Sequence, residues 1–289
     1  MGTVNGMKTT TKPSIERLIN QAVAIETESA QDAGALGFMA RAMVQATLPH
    51  KKVSGTYFER KNGPYTLTLM APPSIGLPYG SIPRLLLAWV TSEAVRTARR
   101  ELELGNSMAS FMRELDLPKE GRAIAGLKDQ ARRLFSCTVT ASYQDTKRTK
   151  DIGYRLADDA TLWWDKDPNQ SGLWESTVTL SEKFYHEVTT RPIPVDIRAL
   201  KALRKSPLAI DTYCWLTYRA SYTRQPCLVP WDGLAMQFGS DYKLLRQFKA
   251  AFLEELKKVM TVYGAVRVEA HPNGLLVKPS LTHVRRKGG

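Results

Sequence analysis

The histidines, cysteines and paired acids of this sequence have types that could do chemistry, but their spacing does not assemble a catalytic centre. The pairs Asp158-Asp159 and Asp165/Asp167 fall near a predicted hairpin turn, where solvated carboxylates are more common than metal ligands. Neither a phosphate-binding G-x-x-x-x-G-K-[ST] loop nor an H-E-x-x-H zinc motif is present. Cysteines lie singly among apolar neighbours, as core thiols do, at Cys137, Cys214 and Cys227. We therefore expect no catalytic residue, no metal and no cofactor.

A different chemistry, hydrogen bonding to a polyanion, is available to the segment Gly121 to Phe135. Its apolar residues fall on one helical face: Ile124, Leu127, Ala131, Leu134 and Phe135. Basic residues lie on the opposite face and its flanks: Arg122, Lys128, Arg132 and Arg133. Small Ala125 and Gly126 between them would let the backbone approach the floor of a groove. Arginine can form two hydrogen bonds to the edge of a guanine base, and both arginine and lysine can bind phosphates.

A second segment repeats this pattern in a long helix predicted to begin at Ser240 or Asp241. The predicted core face consists of Leu244, Leu245, Phe248, Phe252, Leu256 and Val259. The polar face and its edges carry Lys243, Arg246, Gln247 and Lys249. The negative charge of Glu254 disfavours a DNA contact at that position along the helix. We therefore predict that the N-terminal half of the helix contacts the bases.

The elements around the first basic helix are predicted in the order helix, strand, helix, turn, helix, strand, basic loop, strand. Ser81 and Ser107 are suitable caps for the first two helices. This is the order of a winged helix, which places a recognition helix in the major groove and a hairpin on the phosphate backbone. The predicted hairpin carries phosphate-binding candidates at Lys147, Arg148 and Lys150.

The second half repeats the order, with a helix after Ser206, another over Trp231 to Phe238, the long helix, and a hairpin around Pro272-Asn273-Gly274. Lys278, in this hairpin, is a further phosphate candidate. The sequence therefore predicts an α+β fold of two tandem winged-helix domains, each a helix-turn-helix followed by a β-hairpin wing.

The predicted boundaries divide the chain into four parts. Residues 1–50 are expected to be a partly ordered arm, with one amphipathic helix from Ser14 to Ile25. Residues 51–180 and 181–280 are the two predicted domains, and Arg191 to Val195, with two prolines, is interpreted as a linker. Residues 281–289 are a basic tail.

The composition favours a nucleic-acid partner. The 289 residues are 43% hydrophobic and carry a formal net charge of +13, as expected of a globular protein that binds a polyanion. No apolar run is long enough to span a membrane and the N-terminus has no signal-peptide pattern, so we expect a cytoplasmic protein without membrane contact. A basic helical face is more often plain solvated surface, and for either helix alone this alternative stays open.

Several blocks together resemble the RepA-type plasmid replication initiators of bacteria. The blocks are GLPYGSIPRLLLAWVTSEAV, GNSMASFMRELDL, GLKDQARRLFSC and IPVDIRALKALRKSPLAIDTYCWLTYR. With the terminal helix and hairpin, the resemblance runs from about Gly76 to Lys278. It implies a non-enzymatic initiator that binds direct repeats (iterons) in double-stranded origin DNA and helps to open adjacent AT-rich DNA. The implied partners are the host initiator, the replicative helicase and a second copy joined through the N-terminal domain.

Three other functions remain open at this point. A double winged-helix transcriptional repressor would bind DNA without opening it. A nuclease with an unrecognised site would cleave DNA in a metal-dependent way, which the scattered His and carboxylate residues argue against. A protein-interaction module would use the positive charge to bind acidic partners.

Overall fold

The computed structural model describes residues 13–105, 107–147, 149–161, 176–239 and 242–284. They form a mixed α and β structure with antiparallel sheets. The helices are α1 (Pro13–Thr27), α2 (Arg41–Gln45), α3 (Ser81–Thr97), α4 (Met108–Glu114), α5 (Gly121–Ser136), α6 (Glu182–Thr190), α7 (Ile197–Leu203), α8 (Pro207–Tyr222), α9 (Trp231–Phe238) and α10 (Leu245–Val262). The strands are β1 (Leu36–Met39), β2 (Tyr57–Asn62), β3 (Tyr65–Met70), β4 (Glu101–Glu103), β5 (Thr138–Gln144), β6 (Thr149–Arg155), β7 (Ala157–Thr161), β8 (Thr177–Leu180), β9 (Ile193–Asp196), β10 (Cys227–Pro230), β11 (Val268–His271) and β12 (Gly274–Val277).

The first of two similar units contains α3, β4, α4, α5, β7 and β8. Its sheet has the order β4-β8-β7, so the last strand along the chain lies in the middle. The Ser107 hydroxyl accepts a hydrogen bond from the Ser110 amide at 3.1 Å and caps α4, as the sequence predicts. The Ser107 amide donates in return to the Ser110 hydroxyl, which completes a capping box. Trp89 of α3 packs edge-on against Phe111 of α4 at 5.0 Å, and Leu127 and Leu134 of α5 are fully buried in the same core.

The second unit has the same topology in α8, β10, α9, α10, β11 and β12. Its sheet order, β10-β12-β11, again puts the last strand in the middle. Pro207 begins α8, and the Ser206 hydroxyl accepts from the Ala209 amide at 3.2 Å. Gly274, at the start of β12, meets β10 so closely that a Cβ would lie 2.2 Å from the Val229 carbonyl oxygen. Glycine is therefore required where the hairpin joins the third strand.

The hairpin predicted as the first wing belongs to a different sheet. β5 and β6 pair with each other, and β5 also pairs with β3, which gives a four-stranded sheet of order β2-β3-β5-β6. The hairpin itself forms, but the sequence prediction assigned it to the sheet of the first unit, because no local signal shows that β3 pairs with the other edge of β5. In this topology β4 pairs with β8, and β8 pairs with β7 on its other side. The connection between β7 and β8, residues 162–175, lies outside the described residues.

Residues 13–50 are not an arm. Within them, β1 pairs with β9, and Met39, Met43, Val44 and Leu48 are buried in the main core. Helix α1 packs against α10 and α7 through its buried Ala22 and Ile25. The polar composition of this segment misled the prediction, because a small group of apolar residues is enough to anchor it to the core, although Ile15, Ile19 and Val23 on α1 stay exposed.

The segment Arg191 to Val195 is also more than a linker. Residues from Ile193 form β9, whose four residues pair with Leu36–Met39. The sequence rule that two prolines stiffen a connector holds only in part, because Pro194 occupies an edge strand, where proline is tolerated.

The two units are joined by a buried ion pair between their first helices. Arg84 of α3 donates to both carboxylate oxygens of Asp211 of α8, at 2.7 and 2.6 Å. The remaining guanidinium hydrogens reach the backbone carbonyls of Leu48, Pro49 and Gly80. His50 completes the cluster, with its Nε2 at 2.8 Å from Asp211.

Candidate nucleic-acid interface

The exposed face of α5 presents two arginines that make no ion pair with any described residue, Arg122 and Arg132. About ten residues of helix separate them, which is roughly 15 Å along the axis. Ala125, between them, is exposed as well. Gly126 is half-buried and faces Ile82 of α3, where an added Cβ would make an ordinary contact at 3.6 Å, so it lies on the packed side of α5 and not on the exposed face between the arginines.

Arg133, the neighbour of Arg132, is engaged within the protein. Its Nε lies 2.9 and 2.8 Å from the two carboxylate oxygens of Asp129, and its guanidinium stands over the Tyr79 ring at 5.7 Å. Gly76, with φ of +79°, lies so close that a Cβ would be 2.5 Å from Arg133 Nη1. Only 15% of the Arg133 side chain is exposed, so it holds the segment before α3 instead of projecting from the surface.

Lys128 is half-buried on the flank of α5 and has an interaction within the protein. The buried face of the helix is close to the predicted one, with Leu127, Ala131, Leu134 and Phe135 in the core and Ile124 partly buried. The sequence missed Gln130, which is buried and accepts the Tyr79 amide at 2.9 Å.

The candidates predicted for the first wing lie on the β5–β6 hairpin, apart from the sheet that contains β4. Lys147 is exposed in the turn, where its backbone amide donates to Asp145 at 2.8 Å, and Lys150 is exposed in β6. Arg148 lies outside the described residues.

In the second unit, the candidates gather at the start of α10. Lys243, Arg246 and Gln247 are exposed and pair with no described side chain. Lys249 is half-buried, with its ammonium group 4.9 Å from the centre of the Trp231 ring, a cation–π contact that fixes its direction. Lys278, at the end of β12, forms an ion pair with Glu269 of the adjacent β11.

The helix containing these groups starts later than the sequence predicts. Leu244 is the N-cap and Leu245 the first helical residue, while 240 and 241 lie outside the described residues. Leu244 and Leu245, assigned to the core by periodicity, are exposed instead. The buried stripe begins at Phe248 because the first turn of α10 extends beyond the aromatic cluster of Phe238, Phe248 and Phe252.

The Arg84–Asp211–His50 cluster lies between the first helices of the two units and links them. The sequence contains a pattern that predicts the Arg84–Asp211 pair. Each charge stands alone in an otherwise apolar helical segment, which indicates a buried pair. Burial acts to raise the pKa of Asp211, but the Arg84 charge and the hydrogen bonds from His50 and Arg84 hold that pKa below its ordinary value. Burial also lowers the pKa of His50, more strongly than the Asp211 hydrogen bond raises it. The neutral imidazole therefore donates Nε2–H to the carboxylate.

Within the described part of the chain, no three His, Cys, Asp or Glu side chains come together as metal ligands would. Across the same residues, none of the helices has the length and apolar character needed to cross a membrane.

Two solved structures show the same class of fold. Both contain domains 2 and 3 of RctB, one as a selenomethionine derivative. The first is 11% identical, with a TM-score of 0.55, and covers 82% of this chain and 98% of its own. The second is 12% identical, with a TM-score of 0.50, and covers 82% of this chain and 96% of its own. At these identities the likeness concerns the fold, a pair of mixed α and β units.

The sequence identifies the family. The profile described as "Plasmid encoded RepA protein" matches residues 77–232, more than half of the chain. The chain therefore belongs to the plasmid-encoded RepA family, whose role is plasmid replication initiation. The resemblance stated from the sequence is confirmed, and membership of the family implies DNA binding. A comparison with curated proteins finds no match.

Proposed function

We propose that both units are winged helices and that the chain is a sequence-specific initiator of plasmid replication that binds iterons. One observation carries the proposal. Both units repeat the order helix, strand, helix, helix, strand, strand with the last strand central, and in both the third helix exposes basic side chains that no described residue neutralises. This is the arrangement in which a winged helix offers its recognition helix to the major groove.

The exposed groups divide by the kind of contact that they suit. Arg122 and Arg132 on α5 have free guanidinium groups for guanine edges, whereas the exposed guanidinium of Arg246 on α10 suits a phosphate. The ammonium groups of Lys147, Lys150 and Lys243 suit phosphates, which fix the register without reading sequence. Lys128, Arg133, Lys249 and Lys278 are engaged with other groups of the protein, so they support the two surfaces more than they extend them.

The protein acts through binding energy and not through a chemical step of its own. Neutralising phosphates releases counterions, which supplies affinity that falls as salt rises. Two recognition helices on one DNA site would hold the duplex while the adjacent AT-rich DNA opens and the host initiator and replicative helicase are recruited. A homodimer through the segment from about Tyr57 to Arg100, which contains β2, β3 and α3, would be the form that represses or bridges origins.

The decisive experiment is selection from random double-stranded DNA at near-physiological salt, followed by a footprint on the selected sequence. We expect one recurrent site with two protected major-groove faces about 10–10.5 base pairs apart. Arg122→Ala should weaken binding at particular base pairs, whereas Lys150→Ala should weaken binding to all sequences alike and lower the salt slope by about one. Binding without any enriched sequence would contradict the proposal.

Origin opening is tested on a supercoiled plasmid that carries the selected repeats beside AT-rich DNA. We expect permanganate-reactive thymines in the AT-rich segment only when the protein and repeats are both present. A matched plasmid with scrambled repeats is the control. Specific binding that never produces reactive thymines would indicate a repressor.

A further inference from the structure

The start of α10 exposes large apolar side chains on the same surface as its cations. Leu244 and Leu245 are 46% and 41% exposed, and Tyr242, just before them, is 37% exposed with its ring edge-on to Phe248. Scattered apolar residues on a surface are ordinary, but a contiguous group marks a contact surface. We call Tyr242, Leu244 and Leu245 the apolar tip.

The positively charged residues beside the apolar tip indicate which kind of partner it contacts. Lys243 stands between its members, and Arg246 and Gln247 follow directly, all exposed and without a described side-chain partner. An apolar protein partner would leave these cations desolvated and unpaired at the contact, which is costly. A DNA groove offers phosphates to the cations and apolar groups to the leucines at the same time.

The corresponding part of α5 is different. Its exposed surface consists of Gly121, Arg122, Ala125 and Arg132, with no large apolar side chain. The two proposed recognition helices therefore expose different side chains. Helix α5 exposes arginine and alanine, whereas the start of α10 exposes leucine, glutamine and cations.

In the major groove, thymine alone among the four bases presents a methyl group, on C5, and adenine presents the N6/N7 pair that a glutamine amide recognises. We propose that the apolar tip packs on thymine methyl groups and that Gln247 reads an adjacent adenine, so that the second unit selects A·T pairs. This inference rests on the proposed function and specifies which bases each unit reads. The first unit, with its exposed arginines, reads G·C pairs instead.

Deoxyuridine gives a direct test, because it lacks only the C5 methyl group and keeps every hydrogen-bonding group of thymidine. In the selected site, each thymidine under the second unit is replaced singly, and affinity is measured by fluorescence anisotropy. For the wild-type protein we expect a loss of about fourfold for each contacted methyl group, the effect of burying one such group. Replacement of thymidines under the first unit should change affinity less than twofold.

Leu244→Ala and Leu245→Ala should each lose the discrimination between thymidine and deoxyuridine at the position whose methyl group the removed side chain contacts. The matched control is Met260→Ala, since Met260 lies on the same helix and is 40% exposed, but far from the apolar tip. This variant should discriminate like the wild type. All three side chains are exposed, so thermal unfolding should stay unchanged and a folding defect would be visible.

The outcomes separate the two proposals. Specific binding with equal affinity for thymidine and deoxyuridine at every position overturns the apolar-tip inference and leaves the proposed function standing. Discrimination that persists in both leucine variants overturns it as well. Failure to select any sequence overturns the proposed function and this inference together.

Discussion

Two consecutive arginines of α5 illustrate how neighbouring residues of one type differ in role. Arg132 is exposed and unpaired among the described residues, whereas Arg133 is bound to Asp129 and stands over Tyr79. Arg132→Ala should therefore cost about 1–3 kcal/mol of binding to the selected site without changing stability. Arg133→Ala should lower the free energy of unfolding by about 1–2 kcal/mol, because a charge-assisted hydrogen bond and a stacked contact are lost.

Anisotropy titration and urea unfolding of the two variants check this prediction, and each variant is the control for the other. The sequence alone had ranked Arg133 among the groove contacts, since periodicity places it on the polar face of the helix. Periodicity cannot show that the Gly76 to Tyr79 segment would cover this position. A pair of variants with the two effects exchanged would contradict the assignment.

His50 should make stability depend on pH. Burial, opposed by the Asp211 hydrogen bond and aided by the charges of Arg84 and Arg60, lowers its pKa below the ordinary value. The unfolded chain therefore takes up a proton first, near pH 6.5, so the contribution of His50 to the free energy of unfolding is fully present above about pH 6.5 and is lost as the pH drops below it. His283, whose pKa burial also lowers, contributes in the same pH window.

Urea unfolding at pH 7.5, 6.5 and 5.5 measures this dependence. His50→Gln keeps a donor for Asp211 and removes the titrating group, so the loss of stability toward pH 5.5 should be smaller than in the wild type. His186→Gln, at an exposed position, should keep the full dependence. An unchanged slope in His50→Gln would place the pH effect elsewhere.

At the scale of elements, the sequence predicts most helices well because caps and periodicity are local signals. The hydroxyls of Ser107 and Ser206 accept the expected backbone hydrogen bonds, so these caps are confirmed. Ser81 is different, since α3 begins there with Gly80 in the N-cap position and no side-chain cap. The start of α10 was misplaced because periodicity continues to Leu244 while the core that it would pack against ends at Phe248.

This difference along α10 predicts two unequal variants. Phe248→Ala removes a side chain that is 1% exposed and contacts Phe252 at 5.5 Å between ring centres, so the free energy of unfolding should fall by about 3–5 kcal/mol. Leu245→Ala removes an exposed side chain and should change stability by less than about 0.5 kcal/mol. Urea unfolding of both variants, with unchanged m-values, measures the contrast. Equal losses would mean that the helix packs from its first turn.

At the scale of the whole molecule, the sequence predicts the order of elements but not their partners. Most helices and hairpins follow the predicted order along the chain, but strand pairing is a long-range choice. β3 pairs with β5 and β1 pairs with β9, and no local residue pattern predicts either pairing. For the candidate interface the same limit holds. The basic residues were identified from the sequence, while their exposure or engagement, as for Arg133, Lys249 and Lys278, depends on tertiary neighbours.

The ion pair between Arg84 and Asp211 should be the point at which the two units depend on each other most. Both side chains are buried, and Arg84 also donates hydrogen bonds to the backbone carbonyls of Leu48, Pro49 and Gly80. Asp211→Asn would leave a buried guanidinium without its counter-charge, which should lower the free energy of unfolding by about 3–5 kcal/mol. Arg84→Ala should cost a similar amount, because it leaves the carboxylate uncompensated and the carbonyls without donors.

A double-mutant cycle with urea unfolding measures the coupling between the two residues. The two losses of unfolding free energy should be far from additive, because the second substitution removes a buried charge that the first substitution has left without a partner. The double variant should still be less stable than the wild type, since the carbonyls of Leu48 and Gly80 lose their donor in either case. The pair Glu93–Arg96, on the same helix and with Arg96 exposed to solvent, is the control, and Glu93→Gln should cost less than about 1 kcal/mol. Additive losses at Arg84 and Asp211 would show that each side chain stabilises its own unit and that the pair does not join them.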